Sequence, residues 1–321
     1  MPKFYIKHLT KYSYGNPVID GANQIRLYPI NTEFHKILSH HITVSNNPKI
    51  ETYTDVFNNT VGTFMVTEPH RFLAIESEIE VHTTDIKYPN DDVAIDKQWQ
   101  HLNNLKINPQ YIDSLKYITF DGTEEISEFL NLKAFKKQTP YVLLLDLCAY
   151  IYNNFKYLQG ITNVDSKLDD VWRLKAGVCQ DFTNILLQMI RMAGIPARYV
   201  SGYICPNDEG SRGEGATHAW IEAYIPFYGW LGFDPTNNII ANAYHVKLAV
   251  GRSYKDCAPV KGVFKGEADN DNLFVKVKVS SIKKQNESFV FPNVITETNK
   301  DDNSFRKNLK LIQQQQQQQQ Q

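Results

Sequence analysis

The chain has 321 residues, of which 42% are hydrophobic and 12% aromatic, so it is long and apolar enough for two compact units with their own cores. Lysine and arginine number 34 against 35 acidic residues, and the formal net charge of -1 argues against broad electrostatic binding of nucleic acid or anionic lipid. The sequence shows no apolar run of signal-peptide or membrane-spanning length, which predicts a cytoplasmic protein without membrane contact.

The first 85 residues predict an antiparallel β-rich N-terminal domain. Short apolar runs with turn residues between them are typical of strands, and the run at 70–84 alternates with a period of two. The other runs lie at 3–9, 25–30, 40–45 and 50–66.

The composition changes after YPNDD at 88–92, and residues 86–139 predict a helical connecting segment. A catalytic core is predicted over 140–290, beginning with a helix at 139–155 that has Thr139 as its N-cap and Pro140 at its first position. The segment 291–321 ends in nine consecutive glutamines and predicts a disordered tail.

Two further helices are predicted around residue 178. A short helix over 163–177 has Ser166 and Asp169 as capping candidates and ends at Gly177. The next helix has apolar residues spaced by three and four positions up to Gly194, which places Cys179 at its N-terminus.

Strands are predicted at 197–204, 216–225 and 230–234, with more sheet at 245–250 and 273–280. His218 lies on the more polar face of the strand at 216–225, where a cleft could form. A turn centred on 227–228 would put residue 221 near Asp234, so contact of His218 with Asp234 requires a bulge or a wider loop.

Four cysteines, without any CxxC pair, predict free thiols. Only the thiolate is a strong nucleophile, and a helix N-terminus favours it at Cys179. The backbone N–H there could also hold an oxyanion, while Gly177 would let the backbone approach a ligand. Packing is the expected role of the remaining three, which are Cys148, Cys205 and Cys257.

Cys179, His218 and Asp234 together have the composition of a cysteine–histidine–aspartate triad. The stretches GVCQDF (177–182), GIPARYVSGY (194–203), HAWIEAYIP (218–226) and GFDPT (232–236) closely resemble the transglutaminase-like superfamily. YIKHLTKYSYGNPV (5–18), NQIRLYP (23–29) and AVGRSYKDCAPVKG (249–262) resemble bacterial members that have a β-rich N-terminal domain.

The resemblance implies a papain-like α+β fold in which a helical part packs on an antiparallel sheet. It further implies that Cys179 is the nucleophile, His218 the base and Asp234 the residue that orients the base, with no cofactor. The expected function is a thiol-dependent hydrolase of peptide or amide bonds that acts on a peptide or protein substrate. The main alternative is a transglutaminase that passes the same acyl group to an amine.

Two alternatives come from other classes of function. Cys179, His218 and Asp234 could ligate zinc, although zinc sites usually contain closely spaced ligand pairs, which are missing here. The fold could also serve as a catalytically silent peptide-binding module, because fold alone does not fix function.

Three further features have open roles in the sequence. Trp220 and the loop at 205–215 could shape a substrate groove, or they could be core and solvent-exposed chain respectively. Arg198 and Glu222 could form a surface ion pair. The oligomeric state is open.

Overall fold

The computed structural model describes residues 3–132, 135–163, 165–205, 217–266 and 272–281. These ranges form antiparallel sheets with packed helices, which confirms the predicted α+β class. The predicted disordered tail at 291–321, and the predicted groove loop at 205–215 apart from Cys205, lie outside the described residues.

The described strands, in chain order, are β1 (Lys3–Ile25), β2 (His35–Val44), β3 (Glu51–Thr54), β4 (Thr60–Val66), β5 (His70–Thr83), β6 (Lys156–Tyr157), β7 (Ala176–Gly177), β8 (Ala197–Ile204), β9 (Thr217–Ile225), β10 (Gly229–Asp234), β11 (Ile239–Ile240), β12 (His245–Gly251), β13 (Val260–Lys265) and β14 (Asn272–Ser280). The described helices are α1 (Ile95–Leu105), α2 (Pro109–Leu115), α3 (Thr123–Leu132), α4 (Pro140–Asn154), α5 (Leu168–Leu174), α6 (Cys179–Met192) and α7 (Tyr254–Cys257), with a 3-10 turn at Phe135–Lys137.

The first sheet is organised by the long strand β1, which changes partners along its length. Its first half pairs with β5 and β14, and its second half pairs with β4 and β13, with a register shift between Ser13 and Val18. The strands β13 and β14 therefore return to the first sheet, although they follow the core in the sequence. The predicted division of the chain into domains stays a prediction.

The second sheet has the strand order β11-β10-β9-β8-β12, and helix α6 packs on it. The apolar side chains of α6 recur with the helical period and lie on one face of the helix, and the small and aliphatic side chains of β9 alternate and lie on one face of the strand. These two faces pack against each other. The shared core contains Phe182, Ile185, Leu186, Met189, Ile190, Ala219, Ile221, Ala223 and Ile225. This packing fixes the N-terminus of α6 relative to β9.

The helix predicted at 163–177 is shorter than expected. It spans Leu168–Leu174 and ends at Lys175, whose φ of 45° is left-handed. Its N-cap is Lys167, and Ser166 instead accepts the backbone N–H of Asn163. Gly177 belongs to β7, which pairs in parallel with β6. None of the helices in the described ranges is long and apolar enough to cross a membrane.

The first sheet contacts β8 and β12 of the second sheet. Tyr203 is buried among side chains of the first sheet, and its hydroxyl lies 2.8 Å from Nδ1 of the buried His8. The side-chain amide of Asn59 donates to the carbonyl of Val250 at 2.7 Å and accepts its N–H at 2.8 Å. The first sheet thus supports β8, which lies beside β9, and β12, which lies beside β8.

Candidate active site

Cys179 is the first residue of α6, as the sequence predicts. The carboxylate of Asp181 accepts the N–H of the N-cap residue Val178 at 2.8 Å, and the hydroxyl of Thr162 donates to it at 2.6 Å. Asp181 is buried, and burial raises its pKa against the opposing effect of these two hydrogen bonds. An acidic residue in the first turn suits a helix start, whereas nothing in the local sequence distinguishes Thr162 as its partner.

Gly177 makes room for the Asp181 side chain, and its predicted role in letting the backbone approach a ligand stays a prediction. A Cβ atom at this position would lie 2.4 Å from Oδ2 of Asp181 and 2.8 Å from its Cβ. Real Cβ atoms essentially never show contacts below 3.0 Å, so a neighbour would have to shift. The glycine is therefore required by the Asp181 side chain that folds over it, which holds the start of α6 in place.

His218 and Asp234 are in direct contact, both completely buried. Nε2 of His218 lies 2.8 Å from Oδ2 of Asp234, and neither side chain is exposed. The other ring nitrogen, Nδ1, has no hydrogen-bonding partner of standard geometry among the described residues. One nitrogen of the imidazole is thus held by the carboxylate, and the other is left for a second group.

A wider loop produces this contact. Gly229 pairs with Ile225, and Phe233 pairs with Ile221, so the register is shifted by one residue from the predicted one. The loop has three residues, and Phe227 at its centre has a left-handed φ of 65°. Continuing the register puts Asp234 opposite position 220, two residues from His218 on the same face. Such diagonal neighbours are within reach of long side chains.

Cys179 is the second neighbour of the His218 ring. Burial alone would lower the pKa of His218, but the charge and hydrogen bond of Asp234, followed by the interaction with the nearby Cys179 thiol, raise it well above 6.5. Burial acts to raise the pKa of Asp234, but the charge and hydrogen bond of His218 and the hydrogen bond of His245 hold it far below 3.8. The arrangement favours an imidazolium between a carboxylate and a thiol.

Asp234 receives three further hydrogen bonds that the sequence did not reveal. Oδ1 accepts the N–H of Thr236 at 2.9 Å, and Oδ2 accepts the side-chain amide of Asn237 at 2.7 Å. Nε2 of His245 lies 3.3 Å from the same Oδ2. His245 opens β12, at the far edge of the sheet from β10, and no local motif distinguishes it in the sequence.

His218, Asp234 and His245 keep their ligating atoms within 4.8 Å of one another, the spacing of a possible metal site. This set differs from the predicted zinc ligands because it contains His245 in place of Cys179. Both imidazoles lie at hydrogen-bond distances from one carboxylate oxygen, which also accepts an amide N–H. Hydrogen bonding therefore accounts for the arrangement.

The face of β9 that carries His218 is not an open polar surface. His218, Trp220 and Glu222 are all buried, and the Trp220 ring lies 6.2 Å from the His218 ring between centroids. A Cβ atom at Gly202 on β8 would lie 2.2 Å from the backbone oxygen of Val246 and 2.6 Å from the Trp220 ring, so both neighbours need the glycine there. Trp220 is a core residue that packs beside His218.

The predicted surface pair of Arg198 and Glu222 is largely enclosed and has a third member, since Glu222 is buried and the Arg198 side chain is 25% exposed. Glu222 accepts hydrogen bonds from Arg198 at 2.8 Å and from Lys247 at 2.6 Å. Burial acts to raise the pKa of Glu222, but the two cations lower it to about 2. The reason for the difference is that β8 and β12 carry both cations over the same face as Glu222.

Cys179 differs from the other cysteines in exposure. It is partly exposed, whereas burial raises the pKa of the remaining thiols, which are those of Cys148, Cys205 and Cys257. The Cys148 thiol also donates to the carbonyl oxygen of Asp234 at 3.3 Å, so this residue packs beneath the site.

Two family models match the chain. Residues 130–235 match the transglutaminase-like superfamily, and residues 4–82 match the bacterial transglutaminase-like N-terminal region. The resemblance predicted from the sequence is thereby confirmed: the chain has a transglutaminase-like core that follows a bacterial transglutaminase-like N-terminal region.

Individual relatives agree with this layout. The chain is 27% identical to an uncharacterized protein of Mycobacterium leprae over 88% of this chain and 100% of the relative. It is 32% identical to the protein-glutamine gamma-glutamyltransferase of Pseudomonas aeruginosa, over 24% of this chain and 12% of the relative. A crystal structure from Cytophaga hutchinsonii, provisionally described as a cysteine protease, matches with a TM-score of 0.67 at 23% identity over 90% of this chain and 94% of that one. This last match shows a shared fold.

Proposed function

We propose that the protein is a thiol-dependent hydrolase of peptide or amide bonds. Cys179 is the nucleophile, His218 the general acid and base, and Asp234 the residue that orients His218. The proposal rests on the different surroundings of the two ring nitrogens of His218. Nε2 contacts a buried carboxylate, and Nδ1 is left for the thiol of the cysteine that begins α6. Cysteine–histidine catalysis requires that one ring nitrogen is held by an orienting group while the other faces the thiol.

Acylation begins when the Cys179 thiolate attacks the carbonyl carbon of the substrate. The charge that develops on the carbonyl oxygen is stabilised by the backbone N–H of Cys179, which has no intrahelical partner at the start of α6. The C–N bond then breaks, and the amine leaves with the proton from Nδ1 of His218. The products of this step are an amine and a thioester on Cys179.

Deacylation reverses these roles. Neutral His218 accepts a proton from water while the water oxygen attacks the thioester carbonyl, and the C–S bond breaks to release an acid and restore the thiolate. An amine in place of water would instead give a new amide bond. The two-part layout and the fold shared with the Cytophaga hutchinsonii protein support hydrolysis, whereas the partial similarity to a named glutamyltransferase supports amine transfer as the second candidate.

The test uses a glutamine-containing peptide with and without a primary amine, and mass spectrometry of the products. We expect wild-type protein to release peptide fragments, or ammonia with the glutamate product, and Cys179→Ala to release none. Cys205→Ala is the matched control and should remain active, because Cys205 is buried in the core of the first sheet. Amine incorporation in excess of hydrolysis would favour the transferase. Product formation that survives Cys179→Ala would contradict both chemistries, and no turnover across a broad set of peptides would favour a silent binding module.

A further inference from the structure

The side chain of His245 shares one carboxylate oxygen with His218. Nε2 of His245 lies 3.3 Å from Oδ2 of Asp234, and Nε2 of His218 lies 2.8 Å from the same atom. The exposed fractions of the three side chains are 1% or less. The Trp220 ring lies 5.2 Å from the His245 ring and 6.2 Å from the His218 ring between centroids, so it packs beside both histidines in this buried cluster.

The surroundings of His245 place its proton on Nε2. Its Nε2 faces Oδ2 of the ionised Asp234 carboxylate, which can only accept, so Nε2 carries a proton. Its Nδ1 lies 3.2 Å from the backbone nitrogen of Asn242, which can only donate, and also 3.2 Å from the side-chain oxygen of Asn242, which can only accept. The side-chain oxygen of Asn242 already accepts the N–H of Tyr244 at 3.0 Å. Neutral His245 therefore donates Nε2–H to the Asp234 carboxylate.

Asp234 needs such donors because its charge is completely buried. A buried carboxylate without hydrogen bonds would take up a proton and lose its attraction for an imidazolium. Thr236 fixes Oδ1, while Asn237 and His245 approach Oδ2 together with His218. These contacts set the rotation of the carboxylate, and the rotation sets which way His218 presents Nδ1.

We propose that His245 is a positioning residue for the cysteine–histidine–aspartate site: it holds Oδ2 of Asp234 so that His218 presents Nδ1 to Cys179. This inference rests on the proposed function. Because His245 is buried, it does not touch substrate, and its loss should reduce kcat while leaving KM unchanged. A merely structural role would reduce stability and the fraction of folded protein without changing kcat per titrated thiol.

The test compares His245→Gln and His245→Leu. The amide nitrogen of glutamine can occupy the position of Nε2 and donate to Asp234, whereas leucine has a similar volume and no donor. We expect His245→Leu to lose about tenfold or more in kcat per titrated Cys179 thiol, the effect that one charge-assisted hydrogen bond can supply, with little change in KM. His245→Gln should recover most of this loss. Equal activity of folded His245→Leu and wild type, or equal losses in both variants, would overturn the proposal.

A substrate-free measurement separates this inference from the proposed function. The rate of Cys179 alkylation by iodoacetamide is measured in wild type, His218→Ala and His245→Leu. If His218→Ala leaves the rate unchanged, the proposed catalytic pair fails, and the positioning role fails with it. If His218→Ala slows alkylation but folded His245→Leu does not, only the positioning role fails. Slower alkylation in both variants is the expected result.

The proton position can be measured in the wild-type protein in case His245→Leu does not fold. Nitrogen chemical shifts of 15N-histidine-labelled protein should show His245 as neutral, with its proton on Nε2. A proton on Nδ1 would overturn the proposal, because Nε2 could then not donate to Asp234.

Discussion

Glu222 lies between two cations on the buried face of β9, and its replacement should destabilise the protein in a pH-dependent way. Its pKa is about 2 in the folded protein against an ordinary value of 4.5. Each pKa unit corresponds to 1.36 kcal/mol, so ionised Glu222 contributes about 3 kcal/mol relative to its protonated form. Because glutamine resembles the protonated acid, Glu222→Gln should lower the free energy of unfolding by about that amount at pH 7.

The sign of the pH dependence follows from the lowered pKa. The contribution is complete above pH 4.5 and is lost as the pH falls from there through about 2. At pH 3.5 Glu222 is mostly protonated in the unfolded protein and mostly ionised in the folded protein, so about 1 kcal/mol of its contribution should already be lost. The difference between wild type and Glu222→Gln should shrink accordingly.

The assay is urea unfolding of wild type and Glu222→Gln at pH 7 and pH 3.5. Glu51→Gln is the matched control, since Glu51 pairs with Lys49 at 2.9 Å on an exposed surface where ion pairs contribute little. A wild-type advantage over Glu222→Gln below about 1 kcal/mol at pH 7, or one that stays constant down to pH 3.5, would refute the reasoning from the buried ion pair.

Three other outcomes are expected. Gly177→Ala should lower the melting temperature and the rate of thiol alkylation, because the new Cβ collides with Asp181; an unchanged melting curve would be inconsistent with that collision. Burial lowers the pKa of His8 to about 4, so the contribution of neutral His8 to stability is complete above pH 6.5 and should be lost as the pH falls from 6.5 through about 4. In urea unfolding, His8→Gln should therefore make the free energy of unfolding depend less steeply on pH over this range. An equally steep dependence in both proteins would exclude His8 as a cause. Native protein should react with iodoacetamide at Cys179 alone and denatured protein at all four cysteines, as counted by mass spectrometry, whereas native labelling of another thiol would contradict the burial of Cys148, Cys205 and Cys257.

Local patterns in the sequence determined the helix that begins at Cys179 and the strands that carry His218 and Asp234. Apolar spacing and stop residues are local properties, so the end of α6 near Gly194 could be predicted from them. The α5 helix was predicted too long, because nothing in the local pattern marks Lys175 as the left-handed residue that ends it.

The contact between His218 and Asp234 was decided by the tertiary structure. A loop that is wider by one residue changes every cross-strand neighbour of β9 and β10. The loop depends on a left-handed backbone conformation at Phe227, and phenylalanine is not a residue type that predicts this conformation. The burial of Glu222 was likewise hidden, because its second cation, Lys247, comes from a strand 25 residues later in the chain.

The sequence by itself determined which residue types could perform thiol chemistry and in what chain order. Only the tertiary structure decided which nitrogen of His218 meets the carboxylate and that His245 reaches the same oxygen. The physical reason is that a sequence motif describes one local segment, whereas the orientation of a buried imidazole depends on every donor and acceptor that the fold brings around it.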